Sequence, residues 1–75
     1  IHWSQKMLEH MMLKTLKGIR TRDQMSQEFL AYKIGIETST LSRWESGSRS
    51  PSMHNFISWV NALGCTLSIQ YKDGE

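Results

Sequence analysis

The sequence holds little with which to staple or stiffen itself: one Cys and one Pro among 75 residues. Cys65 has no internal partner, which excludes a disulfide framework and fits a reducing, cytoplasmic setting. Long apolar runs are missing too. None approaches the roughly 18 residues of a membrane span, and no charged segment leads into an apolar one as in a signal peptide. Charge of one sign is scarce, since nine Lys and Arg against seven Asp and Glu leave a net +2. There is no internal repeat and no low-complexity tract. The chain begins at Ile1 rather than Met, as a trimmed chain or a fragment of a longer one would. It is about half the usual domain length, and a chain this short buries only about 60% of its unfolded surface. A marginal core supported by a dimer interface is therefore expected. A deep catalytic cleft is hard to build at this size, so a binding module, not an enzyme, is the expectation.

What is present is globular: 39% apolar and 21% charged residues. The charge is uneven. Lys14, Lys17, Arg20, Arg22, Lys33, Arg43 and Arg49 face only Asp23, Glu28, Glu37 and Glu45 across residues 14–49, whereas residues 50–75 carry Lys72 against Asp73 and Glu75. A basic middle and a faintly acidic tail suit a surface that meets phosphate on one side; a solvated charged face explains the charge alone equally well. Leu8, Met12, Leu16 and Ile19 recur at helical spacing behind Ser4, a helix N-cap. Ser26 caps a second helix with Phe29, Leu30 and Ile34 inward, and Gly35 stops it. A third helix spans about Thr38 to Ser46 with Leu41 and Trp44 buried. After loop residues 46–51, Ser52 caps a fourth that buries Phe56, Ile57, Val60 and Leu63 and ends at Gly64. Beyond it Cys65, Leu67, Ile69 and Tyr71 alternate with polar residues at the period of a strand. The fold class expected is mainly α: four helices plus a C-terminal β-strand. A lone strand needs a ladder partner, and a second copy of the chain is the expected one.

Residues 27–45 carry the functional signal. Ala31 stands four residues before Gly35 and Leu41 six after it. Two short helices crossing steeply need a small residue at their approach, a turn glycine and an apolar anchor, the arrangement of a helix-turn-helix. The run from Met25 to Ser52, with Ser42-Arg43-Trp44-Glu45-Ser46-Gly47 and the downstream Pro51-Ser52, closely resembles the Cro/lambda-repressor-like (XRE) helix-turn-helix family. Arg20, six residues before Ser26, and the ending Asn61-Ala62-Leu63-Gly64 extend the resemblance over about residues 13–64. It implies a DNA-binding domain in residues 1–64, with the helix-turn-helix at about 26–46. The implied function is sequence-specific binding of double-stranded DNA, at a palindromic operator, by a homodimer that represses transcription. Glu37 stands where the family has Ser or Thr. Residues 65–75 replace the usual fifth helix, which is similar to antitoxin-type members that pair C-terminal strands between subunits. That likeness adds a toxin protein as an alternative partner; a third reading is a protein-interaction module on the same shell.

On that resemblance Gln27 donates its amide to a phosphate oxygen. Thr38, Ser39 and Thr40 reach base edges from the first turn of the recognition helix, or else stabilise its start. Glu37 accepts from a cytosine, or sits favourably at a helix N-terminus, the preferred reading. Arg43 forks to guanine or pairs with phosphate. Arg49, with Ser46, Ser48 and the loop's backbone N–H groups, meets phosphate. Arg20 and Glu45 form a partly buried ion pair. Cys65, Leu67, Ile69 and Tyr71 pair the tails of two subunits, laid on helix 4 around Trp59 and Leu63 and on part of helix 1. Lys33 is solvated, and Trp44 and Trp59 belong to the core or an interface. His2, His10, His54 and Cys65 lack metal-ligand spacing, no Ser–His–acid set is readable, and no cofactor is expected.

Overall fold

Four helices follow from the caps. The computed structural model describes residues 4–71 and contains α1 (Gln5–Arg22), α2 (Gln27–Ile34), α3 (Thr38–Ser46) and α4 (Met53–Ala62). His2, Trp3 and residues 72–75 lie outside the described residues. The Ser4, Ser26 and Ser52 hydroxyl oxygens accept from the N–H groups of Met7, Phe29 and Asn55 at 3.1, 3.0 and 3.1 Å. Each satisfies one of the orphan donors that open a helix. Glu37 occupies the same position before α3 and makes no side-chain cap.

Three of the four helices close with one device. The N–H of Met25 bonds to Arg20 O, that of Ser48 to Arg43 O and that of Cys65 to Val60 O, at 3.0, 3.0 and 3.1 Å. One residue earlier, the N–H groups of Gln24, Gly47 and Gly64 bond to the carbonyls of Thr21, Trp44 and Asn61. This six-to-one and five-to-two pairing requires a left-handed residue, and those three take φ values of 58°, 81° and 77°. α2 turns at Gly35, with φ 89°.

α3 lies against α1 and α2, and α2 against α4. Leu13 and Leu16 of α1, Leu30 and Ala31 of α2, Leu41 and Trp44 of α3, and Trp59, Val60 and Leu63 at the end of the chain's helical part form the core. Trp59 is fully buried between Trp44, 5.5 Å away centroid to centroid, and Phe56, which meets it edge-on at 6.3 Å. Its indole N–H has no hydrogen-bond partner among the described residues.

The inward faces differ from expectation in three places. Phe29 is exposed at 52%, because Leu30 and Ala31 take the α2 face that meets its neighbours; Lys33 Nζ lies 5.6 Å above the Phe29 ring. Leu8 and Met12 are also exposed, because the first two turns of α1 project past the core that begins at Leu13. Ile57 is exposed in the same region. Residues 65–71 contain no strand; among the described residues there is none. Cys65 serves instead in the α4 cap and packs on the core, while Ile69 and Tyr71 stand fully in water. A single strand has no ladder in one chain, and Trp59 and Leu63, expected beneath the tail, are already covered by the chain's own helices. An apolar groove is left open, lined by Leu8 and Met12, by Met53 and Ile57, and by Leu67 and Ile69.

Gln24 is the one non-glycine residue held at positive φ among the described residues, a conformation that costs an L side chain about 1–2 kcal/mol. Gln24→Gly should therefore stabilise the fold by about 1 kcal/mol, net of the glycine's extra chain entropy. Urea denaturation measures it, and a lower midpoint would count against the capping argument.

Candidate nucleic-acid interface

α3 carries two faces. Leu41, Trp44 and Glu45 are buried and Thr38 and Thr40 half-buried, while Ser39, Ser42, Arg43 and Ser46 are exposed. The exposed four recur at helical spacing and form one outward stripe along a helix of nine residues. A helix of that length, roughly 13 Å, suits a major groove about 12 Å wide. Ser42 belongs to this stripe but is missing from the residues expected there; the burial of Leu41 and Trp44 on either side is the periodic signal that points it outward. Glu37 is exposed just before α3, and its carbonyl accepts from Thr40 and Leu41 N–H.

The Arg43 guanidinium forms no hydrogen bond or ion pair among the described residues, and neither does that of Arg49. Both are exposed and available to an anion or a base edge. The loop between them is less available than expected. The N–H groups of Gly47, Ser48 and Arg49 all bond to carbonyls of Arg43 and Trp44, because closing α3 uses the same amides that would have faced a phosphate. The Ser46 hydroxyl donates to Arg43 O at 3.1 Å and lies 3.2 Å from the Ser48 hydroxyl. Side chains, not loop amides, remain open to a partner here.

Behind this face lies a buried polar cluster. Glu45 Oε2 accepts from Arg20 Nε at 2.6 Å and Oε1 from Arg20 Nη2 at 3.0 Å, a two-point fork between α3 and α1. Arg20 Nη1 donates to Met25 O at 2.8 Å, tying in the link to α2. Gln27, the first residue of α2 and half-buried, donates from Nε2 to Glu45 Oε1 at 2.9 Å. Its amide thus turns inward, where a contact with phosphate alone was expected. The Glu45 and Arg20 side chains are 2% and 11% exposed, and charges so removed from water need both the pairing and the hydrogen bonds found here.

Among the described residues no group of His, Cys, Asp and Glu is placed to hold a metal ion, and no helix is long and apolar enough to cross a membrane. A sequence model of the helix-turn-helix family matches residues 16–70. That stretch takes in the last seven residues of α1, all of α2, α3 and α4, and residues 65–70 of the tail. No curated protein matches the chain. The chain belongs to the helix-turn-helix family of the XRE, or lambda-repressor-like, kind, whose members are DNA-binding regulatory domains.

Removing one member of a buried ion pair strands the other in low dielectric and typically costs about 3–5 kcal/mol. Glu45→Gln should lose stability on that scale, against under about 1 kcal/mol for an exposed pair. Guanidinium denaturation decides between them; a loss near zero would show that the cluster does not hold the helices.

Proposed function

We propose that this helix-turn-helix protein is a cytoplasmic, sequence-specific transcriptional regulator, a repressor that binds a twofold-symmetric operator as a homodimer. The observation that carries the reading is the outward stripe Ser39, Ser42, Arg43 and Ser46 on a helix whose opposite face packs on the core, with the Arg43 and Arg49 guanidinium groups unpaired among the described residues. Arg43 reads a base pair, Ser39 and Ser42 flank it, and Thr38 and Thr40 steady the first turn from half-buried positions. Glu37 lies at the approach to α3. Arg49 and Gln27, with the Ser46 and Ser48 hydroxyls, meet the phosphate backbone.

Residues 1–64 form the DNA-binding domain and residues 65–75 the dimer element. What supports this is the open groove between α1, α4 and the tail, together with Ile69 and Tyr71 at 99% and 101% exposure. A chain with so small a core has little reason to leave such side chains in water. In the dimer each tail supplies Leu67, Ile69 and Tyr71 to a two-stranded ribbon. That ribbon rests on Leu8, Met12, Met53 and Ile57, and one self-complementary patch serves both subunits. Cys65 anchors the tail to its own α4. The antitoxin reading shares this DNA face and adds a toxin protein as a second partner; the described residues carry no feature that favours it over the simpler regulator.

DNA affinity should fall steeply with salt. If each subunit neutralises three phosphates, the log–log slope of a dimer is about −5. Arg43→Ala should lose about 1–3 kcal/mol and relax preference at one base pair. Fluorescence anisotropy across a salt series checks both: a slope near zero rejects the backbone contacts, and an equal loss on every duplex moves Arg43 to the phosphates.

Truncation after Cys65 keeps the α4 cap and removes the ribbon. Sedimentation should then show a monomer with much weaker DNA binding. A truncated dimer of unchanged affinity would place the interface elsewhere.

A further inference from the structure

We propose that Glu45 is a positioning residue for the DNA contact made by Gln27: its carboxylate orients the Gln27 amide so that one N–H is held inward and the other is presented to a phosphate. This rests on the DNA-binding reading above.

The argument begins with what each group can offer. An ionised carboxylate only accepts, and a glutamine amide has a donating end and an accepting end. At the 2.9 Å contact with Glu45 Oε1 the donating end must therefore face inward, which removes the amide's freedom to flip. Nε2 carries two hydrogens. With one on Glu45, the second is the amide's remaining donor, and Gln27 makes no other hydrogen bond among the described residues. The acceptor is itself immobile. Glu45 is 2% exposed and forked to Arg20, and Arg20 is held in turn by Met25 O. The orientation of a half-buried amide at the start of α2 is thus set by an ion pair buried behind it. Ordering such a side chain in advance removes a cost otherwise incurred on binding, worth about a factor of two to ten.

A neutral amide releases no counterion of its own, so losing Gln27 should lower affinity while leaving the salt slope unchanged. Gln27→Ala should weaken binding by roughly tenfold per half-site, the scale of a hydrogen bond to a charged group. In the Glu45→Gln background, where the neighbouring amide can present either end, the same substitution should cost only about twofold, because the tether is already lost. Equal penalties in the two backgrounds would overturn the inference, since a purely structural role for Glu45 leaves the Gln27 contact intact. Should Glu45→Gln not fold, the wild-type side-chain amide spectrum decides. One Gln27 Nε2 proton should be protected from exchange and the other free, with the free one moving on addition of a DNA duplex. Two freely exchanging protons overturn the proposal. A wild-type chain that binds no DNA yet shows the protected proton overturns the functional reading, and the role assigned here with it.

Discussion

The carboxylate of Glu45 is the constraint on which the domain turns. A charge nine-tenths removed from water is tolerable only when a counter-charge and hydrogen bonds meet it. Those partners come from α1, from the first residue of α2 and, through Arg20, from the link between them. Glu45 itself sits in the last turn of α3. One side chain therefore fastens three helices at a single point, while the apolar core beneath them is small. Nine buried apolar residues can be repacked in several ways. A forked, three-donor acceptor is satisfied in far fewer, and it sets how α3 crosses α2.

That crossing decides the chemistry outside. With Leu41 and Trp44 locked inward, Arg43 and its serine neighbours have no choice but to project, and the cap after α3 ties up the loop's amides in doing so. The outward stripe is a by-product of two closures, the ion pair on one side and the helix end on the other. It is also sparse. Hydroxyls discriminate bases weakly, so under the proposed reading a single arginine would carry most of the direct readout from α3, with shape or deformability of the duplex supplying the remainder.

Much of this was legible in the residues. Ser4, Ser26 and Ser52 mark three helix starts because a short hydroxyl side chain before an apolar-periodic run has one good use, and Gly35 and Gly64 mark two ends. Which residues of α2 face inward was not legible. In so short a helix Phe29, Leu30 and Ile34 fit two faces rotated by one residue, and the tight approach at Ala31 selects the face that puts Phe29 in water. Nor does periodicity say where a helix leaves its core: Leu8 and Met12 share a face with Leu16, but each stays 45% exposed. The inward turn of Gln27 depends on a residue eighteen positions away, and the loss of the loop amides depends on cap geometry. Both are tertiary facts. The tail shows the same limit, since alternation reveals the period of a strand and not the partner its ladder requires.

The central claim is that the Glu45 clamp fixes α3 so that its outward stripe reads DNA sequence. Selection of bound duplexes from a random pool at one stated salt concentration tests it most directly. The expected product is an enriched, twofold-symmetric motif with half-site centres about one helical turn, ~34 Å, apart. A pool that returns without any enriched motif, although the protein is folded, would contradict it.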